Sequence, residues 1–167
     1  FLGSIMASET TAAQQGAVGN LRFDPMAMLP FCGYNMADYF AHWLKLGDKA
    51  DAEKLPQIFF VNWFRRDEDG RFLWPGYGEN SRVLKCVFER VAGTVGADET
   101  PIGLLPTVGT LDIKGLQVST DDLTALLSVD IEGWKSAIPQ IKEHYAQFGS
   151  SLPSQLSGQL EALALAL

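Results

Sequence analysis

The stretch IFFVNWFRRDEDGRFLWPGYGENSRVL, residues 58 to 84, carries the clearest local signals in this sequence. Its first part, IFFVNWF, is β-branched and aromatic throughout, which predicts a buried strand over residues 58–64. RRDEDG follows as a turn with Asp69 and Gly70 at its tip, and RFLW predicts a short returning strand. The segment therefore predicts a β-hairpin that ends at Pro75.

An aromatic loop joins the hairpin predicted over residues 58–74 to a helix. FLWPGYGEN carries three large aromatic rings, a proline, two glycines and an asparagine. The hairpin would bring Phe64 and Phe72 together, and the loop could return Tyr77 toward both. We call these three residues the aromatic slot. A planar heterocycle could stack there, and each ring would contribute on the order of 1–3 kcal/mol.

Two glycines beside the aromatic slot predict that the backbone there can approach a ligand closely. Gly76 and Gly78 are expected to adopt positive φ angles. The next segment, ENSRVLKCVFERVAG, predicts a helix with Asn80 or Ser81 as N-cap and Gly93 at its end. The start of this helix would offer unpaired N–H groups. The predicted core-facing residues are Val83, Leu84, Val87, Phe88 and Val91. Alternatively, the aromatic rings are core residues and the asparagine is only a cap.

The remaining pattern is mostly helical. Further helices are predicted over residues 34–46, about 120–128, 130–147 and 153–166. Gly47 is expected to stop the first, Thr120 or Asp121 to cap the second, and Pro139 to bend or divide the third. One short strand is expected near residues 102–105. The segment ASETTAAQQGAVGN predicts a long loop that is either functional or a plain surface connection.

Composition narrows the class of protein. A length of 167 residues suits one sizeable core or a large piece of a bigger one, and the net charge of −7 argues against general nucleic-acid binding. No apolar run is long enough to span a membrane. Cys32 and Cys86 lie among apolar residues, which predicts two buried, reduced thiols in a cytosolic protein. His42 and His144 are far apart, so no zinc site is expected.

VNWFRRDEDGRFLWPGYGENSRVL, residues 61–84, closely resembles the guanine-binding region of the GTP-dependent phosphoenolpyruvate carboxykinases. The resemblance extends through MASETTAA (6–13), DPMAMLPFCGYN (24–35), AHWL (41–44) and TPIGLLP (100–106). It implies a mixed α/β fold, namely the C-terminal part of a nucleotide-binding domain with a short β-hairpin region and several packed helices.

The resemblance also implies how the chain is organised. Residues 1–167 would form the C-terminal portion of the nucleotide-binding domain, with a mobile active-site lid at about 11–21. The guanine-binding hairpin and loop would span about 58–80, and C-terminal helices about 120–167. No GxxxxGK[ST] motif occurs in the sequence, so catalytic residues and metal ligands are expected upstream of this chain and none within it.

The family's site residues carry over by matching positions. The implied nucleotide-binding residues are Phe64, Phe72, Tyr77, Gly78, Glu79 and Asn80. The implied lid residues are Thr11, Ala12, Ala13, Gln14, Gln15, Gly16 and Ala17. In the family three aromatic rings surround the base and the asparagine lies at the guanine edge, while Trp63 is expected to back the slot.

Three positions depart from the family's commoner pattern. The family more usually has Phe where this chain has Tyr77, which keeps the ring and adds a hydroxyl. Animal members carry Arg in place of Ala7, so details of lid closure do not carry over. Cys86 stands where the family often has Trp, a core difference without evident functional meaning.

The resemblance implies an enzyme of gluconeogenesis, a lyase that converts oxaloacetate and GTP to phosphoenolpyruvate, GDP and CO2. Its cofactors would be Mn²⁺ in the protein and Mg²⁺ on the nucleotide, with ligands upstream of this chain. The expected partners are small molecules only, without nucleic acid or membrane, and the protein is expected to be a cytoplasmic monomer. This fragment alone would be inactive. The rival reading is a free-standing guanine-nucleotide-binding or protein-interaction module without catalysis.

Overall fold

A computed structural model describes residues 1–9, 21–49 and 51–167. They form two compact units. The first comprises Phe1–Pro56 and Ile131–Leu167, and the second is Gln57–Asp130. No helix among the described residues is long and apolar enough to cross a membrane.

Helices and short antiparallel hairpins build both units, which confirms the predicted mixed α/β class. The α-helices described are α1 (Met36–Lys49), α2 (Asn80–Val91), α3 (Thr120–Leu127), α4 (Ile131–Ala146) and α5 (Ser154–Ala166). The strands are β1 (Ala7–Glu9), β2 (Leu21–Phe23), β3 (Ala97–Thr100) and β4 (Gly103–Pro106). β1 pairs with β2, and β3 pairs with β4.

The core of the first unit comes from α1, α4 and α5. Within each helix its buried apolar side chains recur mostly every three or four residues, the spacing of a helical face. They include Met36, Ala37, Phe40, Ile138, Ile141, Tyr145, Leu156, Leu160 and Leu163. α1 runs through Gly47 to Lys49, so the predicted stop at Gly47 is wrong. Glycine weakens a helix interior without forbidding it, and no proline follows to end this one.

α4 holds the segment before β1. His144 is 3 % exposed, and its Nε2 lies 3.0 Å from the carbonyl oxygen of Ser4. Since that oxygen can only accept, Nε2 carries the proton. The hydroxyls of Ser4 and Tyr145 lie 2.7 Å apart, and burial raises the pKa of Tyr145 to about 12. Phe23 of β2 stacks on the His144 ring at 4.4 Å between centroids. One helix face therefore contacts both the segment before β1 and strand β2.

Two further features of α4 bear on the sequence predictions. Gln140 Oε1 accepts a hydrogen bond from the Leu21 N–H at 3.1 Å, again tying β2 to this helix. α4 continues through Pro139 as a single helix, so the predicted division of the helix does not occur. Pro139 has no N–H to donate to the Lys135 carbonyl oxygen, but the buried side chains of Ile138 and Ile141 keep this part of the helix packed on the core.

The segment predicted as a buried strand over residues 58–64 is not one. No strand forms there within the described chain, and only an isolated bridge joins Arg66 to Phe72. Ile58 and Phe60 are 80 % and 56 % exposed. A strand needs a neighbouring backbone to accept and donate its hydrogen bonds, and the described residues place none beside this run.

α2 also exposes the face predicted to be core. Leu84, Phe88 and Val91 are 53 %, 73 % and 53 % exposed, whereas Cys86 is 4 % exposed. Val83 and Val87 are half-buried, so the predicted core face is wrong for three of its five residues. Both cysteines are free thiols, as predicted, but Cys32 is only half-buried, which corrects the expectation that both are buried.

Local chemistry explains the other elements of the second unit. Gly93 ends α2 at a φ of 70°, as predicted. The cap of α3 is Ser119 rather than Thr120 or Asp121, because Ser119 and Asp122 form a reciprocal capping box. The single strand expected near 102–105 is half of the β3–β4 hairpin. β3 reads ADET, a mostly polar sequence without a strand signal, and it was missed for that reason.

Candidate functional site

A tight turn forms the base of the candidate site. The Leu73 N–H donates to the carbonyl oxygen of Arg65 at 3.0 Å, and the Asp67 N–H donates to that of Arg71 at 3.0 Å. Gly70 closes the turn at a φ of 80°, with its N–H on the carbonyl oxygen of Asp67 at 3.0 Å. The turn is therefore present as predicted, although the strands around it are reduced to one bridge.

The turn brings two of the three predicted slot residues together. The ring centroids of Phe64 and Phe72 are 6.3 Å apart with an interplanar angle of 60°. Their side chains are 72 % and 45 % exposed, and Tyr77 is 94 % exposed. Within the described residues Tyr77 contacts neither ring, and the half-buried Trp63 stacks on none of the three. Exposed rings of this size offer stacking surface to a planar ligand.

Arg66 was not predicted and lies on the Phe72 ring. Its guanidinium carbon is 4.0 Å from the ring centroid, a cation–π contact, and its Nη1 donates to the carbonyl oxygen of Gly70 at 3.0 Å. The guanidinium thus covers one face of Phe72, while 45 % of the side chain remains exposed. The signal was available in the sequence, because residues that face each other across a short turn are neighbours.

The loop after the turn depends on one glycine. Gly76 has φ 110° and ψ −162°, a region that is essentially restricted to glycine. Gly78 does not have a positive φ, so the prediction of positive φ is correct for Gly76 and wrong for Gly78. Tyr77–Glu79 form a 3-10 turn that leads into α2, and a residue inside such a turn has ordinary negative φ. A Cβ added at Gly78 would meet nothing within 4 Å.

Asn80 is the first residue of α2, not its cap. The N-cap position is Glu79, without a side-chain capping bond, which corrects the prediction of Asn80 or Ser81. Instead, Asn80 Oδ1 accepts a hydrogen bond from Trp74 Nε1–H at 2.9 Å. The Trp74 ring is 5 % exposed. The 3-10 turn extends the helix toward its N-terminus, so the asparagine side chain is free for a longer-range contact.

A charge network holds the start of α2. Arg82 Nε donates to Glu79 Oε2 at 2.6 Å, and Arg82 Nη1 donates to the carbonyl oxygen of Asp112 at 2.8 Å. The Lys114 backbone N–H and then the Lys85 ammonium hold the pKa of the Asp112 carboxyl below its usual range. The Glu79 carboxylate, an implied nucleotide-binding residue, is therefore engaged by Arg82.

A second ion pair ties the turn to α3. Arg71 Nη2 donates to Asp122 Oδ1 at 2.6 Å, and Arg71 Nε lies 2.9 Å from Asp67 Oδ2. The Arg71 hydrogen bond, followed by those from Ser119, lowers the pKa of Asp122 to about 2. Arg65 donates to the carbonyl oxygens of Leu126 and Ser128 at 3.2 and 2.8 Å. These contacts hold both arms of the turn on one short helix.

The predicted lid residues, Thr11, Ala12, Ala13, Gln14, Gln15, Gly16 and Ala17, lie outside the described residues. Ala7 is described, and it pairs with Phe23 in the β1–β2 ladder. Around the turn, the described chemistry consists of exposed aromatic faces and the Asn80 amide group. This combination can stack a planar ring and hydrogen-bond its edge. The N–H groups of Glu79 and Asn80 donate to the carbonyl oxygens of Gly76 and Tyr77, so the prediction of unpaired N–H groups is wrong for these two.

The fold defines a class, a mixed α/β protein segment, and its described surface carries exposed aromatic rings beside the start of a helix. The family model described as "Phosphoenolpyruvate carboxykinase C-terminal P-loop domain" matches residues 1–166. The chain belongs to the GTP-dependent phosphoenolpyruvate carboxykinase family.

Curated relatives carry the same family name. "Phosphoenolpyruvate carboxykinase [GTP]" of Neocallimastix frontalis is 59 % identical over 164 residues, which are 98 % of this chain and 27 % of the relative. The Treponema pallidum (strain Nichols) protein of that name is 59 % identical over 165 residues, with the same coverage of both chains. That of Renibacterium salmoninarum is 54 % identical over 163 residues, again 98 % and 27 %. This chain therefore spans about a quarter of the length of the relatives it matches.

Proposed function

We propose that this chain is the guanine-nucleotide-binding, C-terminal part of a GTP-dependent phosphoenolpyruvate carboxykinase. The observation that carries the proposal is the identity of 52–59 % with proteins of that name across 98 % of the chain. The reaction would convert oxaloacetate and GTP to phosphoenolpyruvate, GDP and CO2.

In this role the described site binds the base. Phe64 and Phe72 would stack on the guanine, with Tyr77 closing from the loop, and Asn80 would hydrogen-bond the base edge. The exposure of all three rings supports the assignment, since burying them against a base would remove apolar surface from water. Gly78 would let the backbone approach the nucleotide, and the open space around it is consistent with that use.

The bond-making chemistry would lie with residues outside this chain. Loss of CO2 from oxaloacetate leaves an enolate, whose oxygen takes the γ-phosphoryl group of GTP. The family's Mn²⁺ and Mg²⁺ would stabilise the charge that develops. The described residues contain no cluster of three or more His, Cys, Asp or Glu suited to a metal ion, and we assign them no metal step. The lid at about 11–21 is proposed from the family resemblance alone.

The remaining parts of the proposal follow the family in the same way. We propose a cytoplasmic monomer of gluconeogenesis whose partners are small molecules. The net charge of −7 supports the exclusion of nucleic acid as a general partner.

The test uses the complete open reading frame that encodes this chain. The purified protein is assayed for phosphoenolpyruvate formation from oxaloacetate with GTP, ITP or ATP. We expect GTP and ITP to support the reaction with a higher kcat/KM than ATP, because a site that hydrogen-bonds one base edge rejects other bases. A protein that binds GDP but forms no phosphoenolpyruvate would instead be the non-catalytic binding module.

A further inference from the structure

The hydrogen bond between Trp74 and Asn80 decides which way the Asn80 amide faces. An indole N–H can only donate, so the amide must present its oxygen to Trp74, as the 2.9 Å contact with Oδ1 has it. The Trp74 side chain is 5 % exposed, so water cannot readily replace this acceptor. Turning the amide over would leave a buried donor unpaired.

Both hydrogens on Asn80 Nδ2 remain for another partner. Asn80 is half-buried at the start of α2, and it makes no other side-chain hydrogen bond within the chain as described. Asn80 therefore presents the N–H groups of Nδ2 to the site as donors, while its Oδ1 acceptor is occupied by Trp74. A purine with a carbonyl at C6 can accept from this donor, whereas a purine with an amino group at C6 presents another donor.

We propose that Trp74 is a positioning residue that sets base selectivity, because it locks Asn80 in the orientation that accepts 6-oxopurines and rejects 6-aminopurines. The inference rests on the proposed function, since it assumes that a purine nucleotide occupies this site. Trp74 itself lies below the surface, so it acts through Asn80 rather than by touching the base.

Two properties of the loop support this role. Gly76 lies between Trp74 and Asn80 in a conformation that is essentially restricted to glycine. The backbone bend that brings the two side chains together therefore requires a glycine at this position. The neighbouring Glu79 is held by Arg82, which fixes the backbone from which Asn80 projects. The amide is thus constrained at its oxygen and at its main chain.

The test measures the affinities of GDP, IDP and ADP by calorimetry, with the complete open reading frame. IDP shares the 6-carbonyl of GDP but lacks its 2-amino group, so it isolates recognition of C6. For the unaltered protein we expect GDP and IDP to bind more tightly than ADP. Trp74→Phe keeps an aromatic ring and removes the N–H, and we expect it to reduce the preference for GDP over ADP by roughly 5- to 150-fold. The preference for IDP over ADP should fall in the same way.

Asn80→Asp provides a second variant. It keeps an oxygen for Trp74 but replaces the outward amide nitrogen with an oxygen, so GDP and IDP should weaken and ADP should gain. Trp43→Phe is the matched control, because it removes an indole N–H from α1, where the ring is 42 % exposed. We expect its affinities to equal those of the unaltered protein.

The outcomes separate the inference from the proposed function. If the unaltered protein prefers GDP to ADP and Trp74→Phe keeps the full preference, the role of Trp74 is overturned and guanine binding stands. If the unaltered protein shows no preference, both fail. If Trp74→Phe does not fold, Asn80→Asp decides the matter, and an unchanged ratio of GDP to ADP affinity in that variant overturns the inference. In the unaltered protein, GDP binding should leave the Trp74 indole proton protected from exchange.

Discussion

At the residue scale, Phe72 is partly exposed and lies against the guanidinium of Arg66. A phenylalanine in a core would be almost fully buried, whereas Phe72 is 45 % exposed. Its guanidinium neighbour lies 4.0 Å from the ring centroid. This environment suits a ring that stacks on a ligand with its exposed part.

We expect Phe72→Ala to weaken GDP binding by roughly 5- to 150-fold, which corresponds to the loss of about 1–3 kcal/mol of stacking. The loss of fold stability should be smaller than the roughly 3–5 kcal/mol of a fully buried phenylalanine, because the ring is only partly covered. Calorimetric titration with GDP and thermal unfolding without ligand measure the two effects. Phe88→Ala is the control, since Phe88 is 73 % exposed on α2. A collapsed Tm with unchanged GDP affinity would assign Phe72 to the core.

Gly76 and Gly78 differ in what they require. Gly76 has a φ of 110° and Gly78 has no positive φ, while a Cβ added at either would meet nothing within 4 Å. We expect Gly76→Ala to lower the free energy of unfolding by about 1–3 kcal/mol, and Gly78→Ala to change it by less than about 0.5 kcal/mol. Urea denaturation measures both. Equal losses would show that the backbone conformation of Gly76 is not the source of the effect.

At the element scale, α3 is held by an acid–base pair that responds to low pH. The Arg71 hydrogen bond lowers the pKa of Asp122 to about 2, against an ordinary value of about 3.9. The folded state therefore binds fewer protons than the unfolded state between these values, so stability is present above about pH 4 and is lost as the pH falls toward about 2.

We expect Asp122→Asn to flatten this acid dependence, because the asparagine cannot titrate. Thermal unfolding between about pH 5 and pH 2 measures the slope. Asp121→Asn is the control, since it removes a carboxylate from the same first turn and leaves the Arg71 pair in place. A slope that survives in Asp122→Asn would assign the acid sensitivity to other carboxylates.

The buried His144 of α4 should make the stability of the fold depend on pH closer to neutrality. Burial lowers the pKa of His144 below its ordinary value of about 6.5. Between the two values the unfolded state binds the extra proton, so stability is complete above about pH 6.5 and falls as the pH drops. We expect His144→Gln to lower the Tm at pH 7.5 but to reduce the further loss between pH 7.5 and 5.5. His42→Gln, on the exposed side of α1, should retain that loss.

At the scale of the whole molecule, the second unit carries much exposed apolar surface. Ile58 and Phe60 of the extended run are exposed, as are Leu84, Phe88 and Val91 of α2. An uncharged, β-branched and aromatic run in this state favours self-association.

We expect Phe60→Lys to reduce concentration-dependent association of the 167-residue chain, measured by light scattering. The Tm should change little, because Phe60 is 56 % exposed. Ser81→Lys, on the exposed start of α2, controls for the added charge. A large fall in Tm for Phe60→Lys would instead show that the phenylalanine contributes to packing.

The sequence alone determined the features that depend on residues a few positions apart. The end of α2 at Gly93, the turn closed by Gly70 and the positive φ of Gly76 follow from local backbone preferences. The family could also be recognised from the residues around the aromatic slot, since a run of specific side chains is itself local information.

Only the tertiary structure decided what those elements contact. Local patterns predicted a strand at residues 58–64 and a core face on α2, but whether either is buried depends on a distant partner surface. The contacts of His144 with Ser4 and of Arg71 with Asp122 join residues 140 and 51 positions apart. Trp74 and Asn80 are only six positions apart, yet their bond requires a buried ring and a glycine bend between them. Such contacts depend on how the chain folds back on itself, and no pattern of neighbouring residues contains that information.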